Sequence, residues 1–266
     1  MSSPRKPLAQ VFEGSPANLD PTHIDEGRIP QHVAVIMDGN GRWAVEHGKM
    51  RAAGHKAGIV GVRELIRTAS DIGIDYLTIY SFSTENWSRP RAEVKGLMEL
   101  FANTMAEELE GMHVEGVRIR VIGDMGALPK RTRTTFEDAI LHTKNNTGMT
   151  LVIAVNYGSR VEILEATREV ARAYAAGELS NEDLDGLDEQ GFAAYLDTHG
   201  IPDPDLLIRT SGEYRLSNFL LYQIAYSEIY ITSVLWPDFD RFELCRALLD
   251  YQSRDRRFGG VTTDDD

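Results

Sequence analysis

Asp38-Gly39-Asn40-Gly41-Arg42 follows an apolar run, Val33 to Met37, without a gap. The run has the length of a buried strand, and the Gly/Asn cluster marks a sharp turn at its end. In a parallel α/β sheet, ligands bind at the carboxyl ends of strands. A carboxylate there can hold a divalent cation, and a neighbouring Arg can fork onto phosphate oxygens. The glycines let backbone N–H groups approach an anion without a Cβ in the way. Together these residue types suit a metal-diphosphate. Read alone, they fit equally well a tight turn whose Asp caps the following helix.

Three further clusters share this character. Arg51, Gly54, His55 and Lys56 stand at a predicted helix start, where unpaired N–H groups and the helix dipole favour anions. Ser83-Thr84-Glu85-Asn86-Trp87-Ser88-Arg89 follows a second strand-like run; Ser83, Asn86 and Arg89 suit phosphate, and Trp87 an apolar wall. Arg209 and Arg215 precede Ser217, which opens another predicted helix, so two guanidiniums and helix N–H groups converge on one anion pocket. Each cluster also has a plainer reading: a solvated helix start, a polar loop with a structural Trp, and arginines paired with Glu213. Glu228, at the start of the last predicted strand, reads alone as a surface residue. Neither a P-loop nor a dinucleotide glycine fingerprint is present.

The elements that must position these clusters alternate. Strand-like runs at 33–37, 76–82, 117–123, 149–155, 206–210 and 229–234 are interleaved with helical patterns near 55–72, 93–113, 130–143, 159–176, 189–199, 217–226 and 240–256. This predicts one α/β domain, an open and mainly parallel sheet of about six strands covered by helices on both faces. Within 93–113, Val94, Leu97, Met98, Phe101, Met105, Leu109 and Met112 recur at helical spacing, as core or as the wall of an apolar cavity. Residues 1–28 read as a mobile tail, 29–260 as the domain and 261–266 as an acidic tail.

Among 266 residues, 41 acidic side chains against 28 Lys and Arg give a net charge of −13. A general nucleic-acid binder needs the opposite balance. The single Cys245 forms no intrachain disulfide and no Cys-based metal cluster. With no apolar run of membrane-spanning length and no signal-peptide core, the expected location is cytoplasmic.

Taken in order, His32-Val-Ala-Val-Ile-Met-Asp-Gly-Asn-Gly-Arg-Trp-Ala, Gly54-His-Lys-Ala-Gly, Ser81-Phe-Ser-Thr-Glu-Asn-Trp-Ser-Arg-Pro, Asn156-Tyr-Gly, Asp205-Leu-Leu-Ile-Arg-Thr-Ser-Gly-Glu, Arg215-Leu-Ser-Asn-Phe-Leu-Leu-Tyr-Gln and Trp236-Pro-Asp-Phe resemble the cis-prenyltransferases over residues 30–260. The resemblance implies condensation of isopentenyl diphosphate onto an allylic diphosphate, giving new cis double bonds, with Mg2+ as cofactor. It implies that Asp38 holds Mg2+ and is catalytic with Asn86, and that Glu228 also binds the metal. Gly39, Asn40, Gly41, Arg42, Trp43, Arg51 and His55 are implied at the allylic diphosphate, and Arg209, Arg215 and Ser217 at isopentenyl diphosphate. Ser83, Thr84, Glu85, Asn86, Trp87 and Arg89 form the implied closing loop. The proton-abstracting base is left between Asn40 and the diphosphate itself. Tyr214 stands where some relatives carry a His near the metal, which puts metal ligation from that position in doubt.

An apolar tunnel is implied for the growing chain. Ser81 is small where relatives with bulky side chains make short products, so a product of about C50–C55 is expected, because a close-packed lining limits the chain by volume. Arg257-Phe-Gly259-Gly260 resembles a C-terminal motif that reaches a neighbouring active site, implying a homodimer. Peripheral membrane contact through the tunnel mouth is left open, and the acidic surface disfavours anionic lipid.

Overall fold

The structure, a computed structural model, describes residues 5–254. The expected acidic tail 261–266 and the Arg257–Gly260 motif lie outside those residues. Six strands form a single parallel sheet: β1 (His32–Ile36), β2 (Tyr76–Ser83), β3 (Arg118–Ile122), β4 (Thr150–Tyr157), β5 (Leu206–Arg209) and β6 (Glu228–Ile231). Their spatial order is β3-β4-β2-β1-β5-β6. The helices are α1 (Leu8–Val11), α2 (Asn40–Glu46), α3 (Arg51–Ile72), α4 (Arg91–Val114), α5 (Lys130–Thr143), α6 (Ser159–Ala175), α7 (Asn181–Asp185), α8 (Glu189–Ala193) and α9 (Arg241–Gln252).

Every residue of β1 is buried, as expected of a central parallel strand covered on both faces. Alternate residues divide between two cores. Val33, Val35, Leu206, Ile208, Leu151 and Ile153 pack with apolar residues of α3, α4, α5 and α9, whereas Ala34, Ile36, Leu207 and Val152 face the opposite side. Cys245 is buried in the first core.

The second face departs from expectation. Its core is closed by Ile201, Phe219, Leu220 and Ile224, which lie in turns rather than in helices. The predicted helix at 217–226 is absent because Ser217, Asn218 and Leu220 take left-handed φ of 49°, 60° and 47°. Tertiary hydrogen bonds hold that path: Ser159 N–H donates to the Asn218 carbonyl, and Arg160 N–H to Asn218 Oδ1. The buried Glu162 carboxylate anchors the same stretch, accepting from Tyr157 Oη at 2.6 Å, Asp197 N at 3.1 Å and Gln223 Nε2 at 3.2 Å. Helical structure in 189–199 stops at Ala193, and tight turns follow.

The reading of 1–28 as a loose tail also fails from Arg5 onward. Leu8, Phe12, Leu19 and Ile24 are buried in the first core, and Gln252 of α9 hydrogen-bonds Asp25 and Arg28.

His32 gives the fold a built-in pH response. Its ring is buried, with Nδ1 2.6 Å from the Pro202 carbonyl and Nε2 2.7 Å from Thr78 Oγ1. The neutral ring donates to the carbonyl and accepts from the hydroxyl. Burial pushes its pKa down to about 4. Below the ordinary value of about 6.5 the unfolded chain binds a proton that the folded chain refuses, so stability falls as pH drops from ~6.5 toward ~4. The full cost is about 3 kcal/mol. Denaturant titrations at pH 7 and 4.5 are expected to show a larger loss in the wild type than in His32→Gln.

Candidate active site

The strand order places a topological switch point between β1 and β5, whose onward connections leave in opposite directions. The crevice beyond the carboxyl ends of such strands is a ligand site. Asp38 and Arg209 meet there: Arg209 Nη2 stands 3.0 Å from Asp38 Oδ2. Arg209 is buried, and its Nη1 also donates to Ser217 Oγ at 2.9 Å and to the Arg215 carbonyl. Asp38 does not cap a helix. Among the described residues its Oδ1 accepts a hydrogen bond only from the adjacent Gly39 N–H, and Gly39, with φ 111°, is the residue that caps α2, which has no side-chain cap. The capping alternative is therefore set aside, and the carboxylate is directed at the arginine.

Residues outside the expected set hold Asp38 in place. Thr210 Oγ1 accepts from Asp38 N–H at 2.9 Å and donates to the Asp38 carbonyl at 2.6 Å. Trp236 N–H donates to that same carbonyl, and its indole N–H donates to the Gly58 carbonyl. Gly54 and Gly58 serve packing rather than anion approach. A Cβ on Gly54 would lie 1.9 Å from the Asn40 carbonyl oxygen, and one on Gly58 2.3 Å from Asn40 Oδ1. The helix itself opens at Arg51, three residues before Gly54.

A second charge cluster surrounds Glu93, which sequence reasoning passed over although it lies four residues after Arg89 in a predicted helix, a pairing distance. Arg89 Nη1, His55 Nε2 and Arg51 Nη2 lie 3.2, 3.7 and 3.8 Å from Glu93 Oε1. Burial and the neighbouring Arg89 and Arg51 lower the His55 pKa. On the other side, Arg42 Nη2 is 2.8 Å from Glu213 Oε1, and Arg215 pairs with the same carboxylate, so the alternative pairing read for the arginines is partly realised. Arg215 Nη2 remains 3.9 Å from Asp38 Oδ2.

The Ser83–Arg89 loop is tied down from two directions. Trp87 Nε1 donates to Asn156 Oδ1 at 2.7 Å, and Asn218 Nδ2 donates to Glu85 at 2.9 Å. Burial alone would raise the Glu85 pKa, but hydrogen bonds from Asn218 and the turn outweigh it and lower it. Asn86 Oδ1 accepts from Ser83 N–H. Among the described residues the non-glycine positive-φ positions are Asn156, Ser211, Ser217, Asn218 and Leu220; Ser217 lines the cavity, and Asn156 and Asn218 hold the Ser83–Arg89 loop. Strain of this kind clusters at functional sites. Trp87→Phe removes the bond to Asn156 and is expected to speed hydrogen exchange in Thr84–Ser88, read by mass spectrometry.

These groups rim a cavity of ≈ 530 Å³. Asp38, Gly39, Asn40, Gly41, Arg51, His55, Ser83, Asn86, Arg89, Arg209, Arg215 and Ser217 line it, as do Tyr80 and Ser81. Its wall continues through Ile59, Val62, Leu97, Phe101, Met105, Met112 and Phe136 of α3, α4 and α5, so the Met- and Phe-rich stripe serves core and cavity together. Arg42, Trp43, Thr84, Glu85 and Trp87 are not in the lining. Trp43 instead donates to Asp238 and stacks on His47. Tyr214 is 85% exposed. Three buried polar atoms of these cavity-lining residues, His55 Nε2, Arg209 Nε and Asn40 Oδ1, have no hydrogen-bond partner among the described residues.

Glu228 is not brought to Asp38 within one chain. It opens β6 opposite Leu206, at the amino end of the sheet, and pairs with Arg254 at 2.7 Å. Five residues of strand rise separate the two levels, about 16 Å. Among the described residues no group of three or more His, Cys, Asp or Glu is placed to hold a metal.

An anion cradle at a switch point, opening directly onto an apolar cavity, fits an amphiphile with an anionic head. The comparisons with known proteins agree. The prenyltransferase family model described as undecaprenyl diphosphate synthase matches residues 36–259. The chain is 50% identical over 255 residues to an isoprenyl transferase of Heliobacterium mobile, covering 96% of this chain and 97% of that one. It is 52% identical over 233 residues to an isoprenyl transferase of Agrobacterium fabrum, covering 88% and 93%. Lavandulyl diphosphate synthase from Lavandula x intermedia, solved with dimethylallyl diphosphate, superposes with TM-score 0.83 at 37% identity over 86% of this chain and 98% of that one. A probable undecaprenyl diphosphate synthase from Campylobacter jejuni gives TM-score 0.72 at 31% identity, covering 87% and 99%. The chain belongs to the undecaprenyl diphosphate synthase family and is a prenyltransferase. None of its described helices is long and apolar enough to cross a membrane.

Proposed function

We propose that this enzyme is a Z-polyprenyl diphosphate synthase. It adds isopentenyl diphosphate repeatedly to an allylic diphosphate, with farnesyl diphosphate as starter, to make a carrier-lipid precursor of about C50–C55 for cell-wall synthesis, in a cavity of the size class that encloses small-molecule ligands. One observation carries the reading: the cationic cradle and the apolar cavity are continuous, as a diphosphate head and a hydrocarbon tail require. The bound dimethylallyl diphosphate of the lavender relative supports an allylic substrate.

Mg2+ fits this site. The ion is commonly held by one or two carboxylates, substrate phosphates and water. Asp38 supplies one carboxylate, 34% exposed and facing the cradle. When bound, the ion supplies charge neutralisation to the departing diphosphate. Gly39, Asn40, Gly41, Arg51 and His55 are assigned to the allylic diphosphate, with Arg42 at the rim. Arg209, Arg215 and Ser217 are assigned to isopentenyl diphosphate, with Arg209 also aligning the Asp38 carboxylate. Asn86 and Arg89 present the closing loop to both, and Asn86 is the further catalytic candidate. Excluding water protects the allylic cation until the new bond forms. Ser81 lines the cavity with a small side chain, which supports a long product.

A homodimer is part of the proposal, because a metal shared by Asp38 and Glu228 requires Glu228 of a second copy. A cytoplasmic enzyme, with peripheral membrane contact for product release, completes the reading. The test is to incubate the purified protein with labelled isopentenyl diphosphate, Mg2+ and starters of different length, then size the products with and without a chelator. Long products that disappear on chelation support the reading, whereas a single addition or metal-independent growth contradicts it.

A further inference from the structure

Away from the cradle the cavity runs along α3 and α4, with Gly111, Met112 and Glu115 lining it farther on, and part-way down its walls carry charge. There Arg63 Nη2 of α3 lies 2.6 Å from Glu108 Oε1 and 3.5 Å from Glu107 Oε2 of α4. Arg63 and Glu108 both line the cavity. The Arg63 side chain is 45% exposed and that of Glu108 33%, so the pair spans the opening between the helices rather than sealing a buried floor. Arg67, one turn further along α3, lines the same cavity.

The spacing gives this pair a consequence. Arg51 marks the cradle end of α3, and Arg63 stands about 18 Å further along the helix. A five-carbon isoprenoid unit adds four chain bonds, which at the extended repeat of about 1.2 Å per bond is about 5 Å. The span therefore holds roughly three to four units. A farnesyl starter nearly fills it, and each later condensation drives the hydrocarbon end against the Arg63 bridge. Hydrocarbon cannot replace the hydration or the partners of a charged pair. A longer chain reaches the lining at Met112 and Glu115 only by passing the pair.

We propose that the Arg63–Glu107/Glu108 ion pair is a latch part-way along the cavity that biases product length. The proposal rests on the elongation reading given above. A latched pair raises the cost of the next addition relative to release, and an unlatched one lowers it. An exposed ion pair alters such a partition by about five-fold at most, so the length distribution shifts rather than collapses.

The test compares product distributions from the full-length wild type, Arg63→Ala, Glu107→Gln/Glu108→Gln, the charge swap Arg63→Glu/Glu108→Arg, and Arg67→Ala, with farnesyl diphosphate as starter. Unlatched variants are expected to move the main product up by one or two units, with the rate of the first condensation unchanged. The charge swap is expected to restore the wild-type distribution, and Arg67→Ala to keep it. Raised salt screens exposed charges, so it should lengthen wild-type products and leave those of Arg63→Ala where they are. An Arg63→Ala distribution that is unchanged or shorter, with a normal first condensation, overturns the latch alone. An equal shift in Arg67→Ala overturns it in favour of a general charge effect. A wild type that adds no isopentenyl unit overturns the latch together with the reading beneath it.

Discussion

Asp38→Ala is expected to lower kcat by about 10³-fold or more while leaving the protein folded. Loss of one preorganised group that stabilises developing charge commonly costs 10²–10³-fold, and Asp38 stands at the meeting of several such groups. Its carboxylate is the acidic group that Arg209 aligns at 3.0 Å, and Arg215 and Arg42 lie within 4.0 Å of it. Thr210 and Trp236 fix its backbone, so the side chain can be removed without releasing the turn. Arg209 keeps Ser217 and the Arg215 carbonyl as partners, which limits the stability cost. Asp38→Asn is expected to behave nearly as badly, because shape is kept and charge is lost. Steady-state kinetics with thermal unfolding in parallel checks both parts. A fall in activity matched by a fall in Tm would assign Asp38 to the scaffold.

Gly54→Ala is expected to destabilise the protein by about 3 kcal/mol, the upper range for overpacking, and to cost most of its activity. The added Cβ would sit 1.9 Å from the Asn40 carbonyl oxygen, a backbone atom that cannot swing aside. Relief requires α2 to move away from α3, carrying Asn40, Gly41 and Arg42 out of register with Asp38. Gly96→Ala is the control. Gly96 lies in α4, a Cβ there meets nothing within 4 Å, and Ala should stabilise by roughly 0.5–1 kcal/mol. Calorimetry of the two variants should show Tm moving in opposite directions. A Tm for Gly54→Ala equal to that of the wild type would mean the α2–α3 contact yields more easily than its geometry allows.

The sheet was largely legible before the structure. Apolar runs such as Val33–Met37 and 149–155 mark strands that the structure ends within two residues, because a strand buried on both faces leaves an unbroken hydrophobic signal. α4 was legible through its stripe. The segment after Ser217 was not, because its path depends on Ser159, Arg160 and Glu162, far away in the chain, and it forces even Leu220 into a left-handed conformation. The first twenty-eight residues lack any period, yet Phe12 and Ile24 are buried against α3 and α9 by contacts that no local pattern encodes.

At the site, the Asp38, Arg209 and Arg215 motifs converge as their strand-end positions imply. Thr210 and Trp236 hold Asp38, and Glu93 gathers Arg51, His55 and Arg89, through contacts that residue type alone does not announce. For Glu228 the start of a strand was visible, but a linear sequence does not measure the distance from there to the opposite end of the sheet.

The most direct test of the central claim is to follow labelled isopentenyl diphosphate into farnesyl diphosphate with the wild-type enzyme and Mg2+, and to determine product length and double-bond geometry by mass spectrometry and NMR. The account predicts many successive additions, each new double bond cis. Trans bonds, or diphosphate release without chain growth, would contradict it.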